Sequence, residues 1–220
     1  MRRQTAHPAG TSKRDSGART RAAILAAAER VFARSGLAGA RTDLIAAQAG
    51  VNKALLYYYF KSKEKLYQAV LEEHFQEFNR QALAVLEGPG SAADVLLRYV
   101  SLHLDFISAR HRHAPLFQQF IGTCGRSSAR LVRKYFTPRS RAVGRLLERG
   151  MREGQFRRTD PFHTAISIVA LIVFYFSAAP VLQMLGHSGA YTEANLQRRK
   201  AEVLAFIRHA LFRHPEASLA

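Results

Sequence analysis

Residues 42–66 read TDLIAAQAGVNKALLYYYFKSKEKL, and this stretch is the most informative part of the sequence. It has the pattern of a helix, a three-residue turn and a second helix. Thr42 is a residue type that caps helix N-termini, and Gly50 is able to adopt the positive φ at which a helix ends. Asn52 is then placed to cap the second helix. A helix-turn-helix motif is therefore predicted over about residues 41–60.

The second of these helices is short, and its two faces differ in chemistry. Leu56 and Phe60 lie four residues apart and are predicted to face inward with Val51. The outward face then carries lysine and tyrosine side chains. Such a face is poor core material but suits DNA, where hydroxyl and amino groups contact phosphates and the first residues of a helix reach base edges.

Contacts with DNA are assigned on this basis. Phosphate contacts are predicted for Thr42, Tyr57, Tyr58 and Lys63. Base-edge contacts are predicted for Lys53, Ala54 and Leu55. Asp43, next to Thr42, belongs to the same predicted surface.

Three blocks of this region match a known family in spacing and residue type. They are residues 49–53 (AGVNK), 56–60 (LYYYF) and 62–64 (SKE). Together they resemble the helix-turn-helix domain of the tetracycline-repressor (TetR) family over about residues 19–70. The resemblance implies an all-α, homodimeric repressor of the bacterial cytoplasm and nucleoid, with a variable C-terminal domain that binds a small-molecule effector. Leu55 and the triple tyrosine depart from the usual pattern, which leaves the operator sequence open.

Composition agrees with a nucleic-acid partner. The chain of 220 residues has a formal net charge of +17, so its partner is expected to be polyanionic. Residues 1–18 are basic and polar, and we predict a disordered arm that either contacts DNA or only aids solubility. The single cysteine, Cys124, excludes an intramolecular disulfide and fits a reducing cytoplasm.

An uncharged run extends from Ala165 to Leu185 and is long enough to raise the alternative of a membrane span. Pro180 and several polar residues interrupt this run. Asp160 and Pro161 precede it as an N-cap and first helical residue do in soluble proteins. We therefore predict a helix buried both in its own domain and against a second subunit, and no contact with a membrane.

Helical periodicity recurs along the rest of the chain. About nine helices are predicted, in an all-α fold with a DNA-binding domain at 19–65 and a ligand-binding and dimerisation domain at 66–220. A long fourth helix, from Ser62 to about Leu86, is expected to join the two domains. Pro138 is expected to break or kink a helix predicted from about Ser127 to Gly154.

Aromatic residues and a histidine of the second domain recur on helix faces and indicate a largely apolar or aromatic effector pocket. The predicted pocket residues are Tyr99, His103, Phe106, Phe117, Phe120, Phe174 and Tyr175. The predicted dimer interface comprises Ile166, Val169, Val173, Val203 and Ile207.

No phosphate-binding loop, nucleophile motif or metal-ligand pair is present in the sequence, so we predict no enzyme activity, no cofactor and no metal. A sensing role for Cys124 or for His103, His111 and His113 stays open. The predicted function is a DNA-binding repressor released from a palindromic operator by a small molecule. The alternatives are an activator or architectural DNA-binding protein, a membrane-tethered regulator, and an enzyme on a helical scaffold.

Overall fold

A computed structural model describes residues 13–111, 114–122, 125, 128–187 and 189–215. Cys124 and His113 lie outside these ranges, as do residues 1–12 of the predicted arm. Residues 13–18, predicted to be disordered, instead form the first turns of helix α1, Lys13–Gly39. Within this helix Thr20 Oγ1 donates a hydrogen bond to Ser16 O at 2.9 Å.

The described residues divide into two compact units, one up to Val70 and the other from Leu71 onward. In the N-terminal unit, α1 is interrupted at Gly36, whose φ of 64° is not helical. Helices α2 (Thr42–Ala49) and α3 (Lys53–Phe60) follow, and α4 (Lys63–Leu86) begins in this unit. Its core consists chiefly of Ile24, Phe32, Ile45, Leu56 and Leu66.

The turns around the predicted motif have the expected chemistry at three of four positions. Gly50 has φ 67°, Asn52 Oδ1 accepts a hydrogen bond from Leu55 N at 2.7 Å, and Ser62 Oγ accepts one from Lys65 N at 3.2 Å. Thr42 is not the N-cap of α2, contrary to the prediction. Arg41 occupies that position without a side-chain cap, and Thr42 is the first helical residue, with its side chain buried.

The C-terminal unit contains the rest of α4 and a series of further helices. They are α5 (Ala92–Ser108), α6 (Ala114–Gly122), α7 (Ala129–Leu131), a π-helical segment (Val132–Phe136), α8 (Thr137–Arg152), α9 (Pro161–Ser177), α10 (Ala179–Met184) and α11 (Glu193–Leu211). Ser91 caps α5, and Asp160 caps α9 as predicted, since each accepts a hydrogen bond from the amide three residues on. Thr192 precedes α11, but its hydroxyl donates to Gly189 O instead of capping.

The helix predicted from about Ser127 to Gly154 is not broken at Pro138; its backbone stays helical and widens into a π-helical turn just before the proline. Thr137 N donates to Val132 O, five residues back, which closes the wide turn of a π-helix just before Pro138. Pro138 lies where the π-helical turn passes into α8, and because it has no N–H it cannot donate to a carbonyl of the preceding turn. Glu72 of α4 holds this region through Arg130 and Lys134, at 2.5 Å and 2.9 Å.

The uncharged run is divided between α9 and α10, with Pro180 in the first turn of α10. One side of α9 faces the core of the C-terminal unit through Ile168, Ile172 and Phe176. The opposite side is exposed. In the part of the chain that the structure describes, no helix has both the length and the apolar character needed to cross a membrane.

Candidate nucleic-acid interface and ligand cavity

Helix α3 presents the outward face predicted for it. Leu56 and Phe60 are buried, whereas Lys53, Ala54 and Tyr58 are exposed and Leu55 is half-buried. Tyr58 is 69% exposed, a large value for an aromatic side chain. Asn52 fixes the start of the helix, so these side chains project from a well-defined backbone.

An ion pair joins α2 to α3 on this face. Lys53 Nζ lies 2.9 Å from Asp43 Oδ1, and both side chains are more than half exposed. The hydrogen bond from Lys53 lowers the pKa of Asp43, and the same bond raises the pKa of Lys53. The predicted base-contacting lysine is therefore held beside a carboxylate.

A shallow groove lies where α2, α3 and α4 begin or end, and Thr42, Asp43, Tyr57 and Lys63 all line it. Tyr57 Oη is 3.4 Å from Thr42 Oγ1, so the two hydroxyl groups are neighbours. The first turn of α2 has no side-chain cap. Helix N-termini carry donor N–H groups and a partial positive charge, so this groove has the chemistry of an anion site.

Lys63 has a second role that the sequence pattern did not indicate. Its ammonium group donates to Ala38 O at 3.2 Å and to Ala40 O at 3.3 Å, which ties the end of α1 to the start of α4. An ammonium group has three donors. Two are used within the unit, and the positive charge still lines the groove.

Lys61 is a further basic residue of this surface. It follows α3 with φ 64°, a left-handed conformation that is uncommon outside glycine. Its ammonium group lies 5.3 Å from the centre of the Tyr58 ring, within the range of a cation–π contact. In the sequence Lys61 lies next to the run of tyrosines, which indicates that it belongs to the same surface.

The C-terminal unit contains a partly open cavity of about 130 Å³. Its walls come from α4, α5, α6, α9 and the π segment with the start of α8. Four predicted pocket residues line it, namely His103, Phe106, Phe117 and Phe120. Further lining residues that the sequence reasoning missed include Phe75, Phe78, Phe136, Arg139 and Phe176.

Three predicted pocket residues do not line this cavity. Tyr99 is buried behind it, with its ring centre 5.9 Å from that of His103. Phe174 is 70% exposed, and Tyr175 donates its hydroxyl to Ala190 O at 2.7 Å. The face of α9 that reaches the cavity is instead that of Val169, Val173 and Phe176, because Phe174 and Tyr175 lie on other faces of the same helix.

Two polar side chains stand out in the cavity wall. His103 Nδ1 and Arg139 Nη1 are both buried and have no hydrogen-bond partner among the described residues. Burial, reinforced by the charge of Arg139, lowers the pKa of His103 to about 3, so the imidazole is neutral. Arg139 could have been predicted as a cavity residue from the sequence, because it lies four residues before Val143 on the buried stripe of α8.

The predicted dimer residues fall into two groups. Ile166 is 51% exposed, Val169 is also exposed, and Val173 is half-buried. Val203 and Ile207 are each 1% exposed and belong to the core of their own unit, so their assignment to a subunit interface is wrong. Phe206 of α11 is 60% exposed and occupies the outward face instead.

Among the described residues, no group of three His, Cys, Asp or Glu side chains is placed to hold a metal ion. His111 Nδ1 is 2.9 Å from Ser108 O, and its ring lies against Tyr191.

Both units match known protein families. Residues 24–70 match the family described as bacterial regulatory proteins, tetR family, and residues 93–207 match the tetracyclin repressor-like C-terminal domain. The HTH-type transcriptional repressor NicS of Pseudomonas putida is 33% identical over 166 residues, which cover 72% of this chain and 76% of that protein.

Solved structures share the fold at lower identity. A regulator from Saccharomonospora viridis in complex with choline has a TM-score of 0.72 at 23% identity, over 90% of this chain and 99% of that one. FadR from Bacillus subtilis in complex with stearoyl-CoA has a TM-score of 0.69 at 20% identity, over 84% and 96%. The relatives are transcriptional regulators, not enzymes. The chain belongs to the tetracycline-repressor family of DNA-binding transcriptional regulators.

Proposed function

We propose that this protein is a homodimeric repressor that binds a near-palindromic operator and leaves it when a small molecule occupies the cavity of the C-terminal unit. One observation carries the proposal. A single chain combines an exposed lysine and tyrosine face on its helix-turn-helix with a partly open, mainly aromatic cavity in its other unit. The relative NicS is named a repressor, which supports the direction of regulation.

In this proposal the groove at the start of α2 holds a DNA phosphate. Tyr57 and Thr42 supply hydroxyl groups, Lys63 supplies charge, and the uncapped first turn of α2 supplies N–H donors. Tyr58 contacts an adjacent phosphate. Lys53, with Ala54 and Leu55, faces base edges in the major groove.

The exposed apolar face of α9 supports the dimer. Ile166 and Val169 lie on it, and Phe162 of the same helix is 63% exposed. A second copy of the chain is the proposed occupant, with Phe206 of α11 contributing from a neighbouring exposed face. A two-fold axis would make the operator a near-palindrome with half-sites spaced by whole turns of DNA.

Helix α4 is the proposed route from effector to DNA. It carries Lys63 at its start, and Phe75 and Phe78, which line the cavity, further along. A shift of α4 on ligand binding would change the spacing of the two reading helices in a dimer. Coupling of about 1–3 kcal/mol, roughly 5- to 150-fold in affinity, is typical of such systems.

The dimer is tested by sedimentation of the full chain. Ile166→Asp is expected to give monomers, because it buries a charge in the proposed interface. These monomers are expected to bind weakly to an operator that the wild-type protein selects from random DNA. Val181→Asp places the same charge at an exposed site on α10 and is expected to stay dimeric. Dimers of unchanged stability for Ile166→Asp would contradict this interface.

Regulation is tested with DNA fragments that the purified protein selects from a random pool. In transcription reactions from a promoter that carries the selected site, the protein is expected to lower transcript yield. Compounds that raise its thermal stability are expected to restore that yield. Increased transcription on protein addition would identify an activator. The proposal places this activity in the bacterial cytoplasm, with the nucleoid DNA.

A further inference from the structure

The wall of the cavity contains basic side chains but no acidic ones among the described residues. Seven phenylalanines contribute to it, with His74, His103, Arg110 and Arg139, yet no aspartate or glutamate lines it among the described residues. The wall is therefore apolar and positively charged. The two fold neighbours described above hold a cation and a CoA thioester, so the fold alone does not decide the charge of a ligand.

Arg139 is the charged group set most deeply in this wall. Its guanidinium carbon lies 4.9 Å from the Phe78 ring centre and 5.0 Å from that of Phe136. Its Nη1 atom is buried without a hydrogen-bond partner in the described part of the chain. The guanidinium also donates a hydrogen bond to the hydroxyl of Tyr99, which is neutral because burial raises its pKa. Burial lowers the pKa of Arg139, but a guanidinium stays charged in proteins, and among the described residues no carboxylate lines the cavity to balance this charge.

His103 lies beside this arginine in the wall and is neutral. Its ring centre is 4.4 Å from that of Phe78. Its Nδ1 also lacks a partner among the described residues, although buried polar atoms are nearly always hydrogen-bonded. Both unpartnered atoms are nitrogens that can donate a hydrogen bond, and both lie in the wall of one cavity. A ligand with oxygen acceptors would therefore satisfy both of them.

We propose that this cavity binds a small apolar compound with one carboxylate, with Arg139 as its counter-ion, His103 as a hydrogen-bond donor, and the phenylalanines around its body. The inference rests on the proposed function, because it names the chemical class of the effector. A cavity of about 150 Å³ accepts a benzene ring, so the 130 Å³ here suits one aromatic ring or a short alkyl chain. A cationic ligand would meet Arg139 and no carboxylate.

The test is calorimetric titration of the full chain with two acids and their neutral amides: benzoate against benzamide, and octanoate against octanamide. Each pair matches shape and differs in charge. At least one acid is expected to bind about 10-fold or more tightly than its amide, because charge-assisted hydrogen bonds gain strength in an apolar site. Arg139→Met is expected to abolish this preference, and Arg139→Lys to retain part of it.

Arg141→Met is the matched control, since Arg141 is exposed on the same helix and does not line the cavity. It is expected to keep the full preference for the acid. Circular dichroism and binding of the selected operator without ligand establish that each variant is folded. Equal affinity for acid and amide, an acid preference that survives in Arg139→Met, or no binding by any of the four compounds at about 5 mM would overturn the proposal.

Operator release is measured separately with the same compounds. An acid that binds as expected but leaves the operator complex intact would uphold the carboxylate site and contradict the proposed release mechanism. Release by a neutral compound, with no preference for acids, would uphold the release mechanism and contradict the carboxylate site.

Discussion

Asp43 of α2 and Lys53 of α3 form an ion pair with 2.9 Å between Oδ1 and Nζ, on the surface assigned to DNA. The pair places a carboxylate on the face that is proposed to meet phosphates. It also holds the lysine in one direction. Exposed ion pairs contribute little to stability, so the consequence of this pair lies in DNA binding.

Asp43→Asn is expected to strengthen binding to random DNA several-fold, because it removes a negative charge from the interface and frees Lys53 for a phosphate. The slope of log K against log salt is expected to steepen by about 0.9, the value for one more neutralised phosphate. Fluorescence anisotropy over a salt series measures both quantities. Glu148→Gln makes the same change in net charge at an exposed site on α8, and an equal effect from it would show that the pair itself is not responsible.

Tyr57→Phe is expected to weaken binding to the operator and to random DNA by the same factor. The change removes only the hydroxyl next to Thr42 Oγ1, and phosphate contacts carry no sequence information. The expected loss is about 0.5–1.5 kcal/mol. Tyr175→Phe, which removes a hydroxyl bonded to Ala190 O in the C-terminal unit, serves as the control. A loss confined to the operator would reassign Tyr57 to base contact.

Much of the fold followed from local patterns, because caps and helix faces depend on neighbouring residues. Gly50, Asn52, Ser62 and Asp160 all lie at helix ends as predicted. Thr42 begins α2 but does not cap it; its hydroxyl is buried beside Tyr57, fifteen residues away, and periodicity does not encode that contact.

The cavity was only partly predictable for the same reason. Its residues come from helices far apart in sequence, and periodicity identifies the buried stripe of each helix but not which stripes meet. Phe106 and Phe120 were assigned correctly to the cavity wall. Val203 and Ile207 were assigned to an interface, because an apolar stripe on α11 does not reveal whether it packs on its own core or on a partner.

Stability at mildly acidic pH is expected to depend on His103. Burial lowers the pKa of His103 to about 3 in the folded chain, against about 6.5 when unfolded. Between pH 6.5 and 3 the unfolded chain binds a proton that the folded chain does not, so stability falls as pH falls. Above pH 6.5 this contribution is fully present. From pH 6.5 to 5 the expected loss is about 2 kcal/mol.

His103→Gln replaces this group with a side chain that does not titrate. Urea unfolding at pH 7 and pH 5 is expected to show a smaller loss of stability in this variant, by about 2 kcal/mol. Glu72 does not interfere in this window. Its pKa is lowered to about 2, chiefly by the hydrogen bond from Arg130, so its contribution declines only below about pH 4.5. The same pH dependence in both proteins would refute the role given to His103.

Two glycines of α8 are expected to respond oppositely to alanine. A Cβ on Gly150 would lie 2.2 Å from Cδ2 of the buried Phe156 ring, so Gly150→Ala should cost about 1–3 kcal/mol. A Cβ on Gly144 would meet nothing within 4 Å, and Gly144→Ala should add about 0.5–1 kcal/mol through helix propensity. Thermal or urea unfolding compares the two. Similar effects of both substitutions would contradict the packing of Phe156 against α8.

The central claim is that α3 reads a specific DNA sequence, and the most direct measurement is the affinity of wild type and Lys53→Ala for one selected operator and for a scrambled DNA of the same length. The account predicts that Lys53→Ala weakens operator binding by about 1–3 kcal/mol and changes binding to scrambled DNA far less. A variant that keeps the full preference for the operator would contradict the claim.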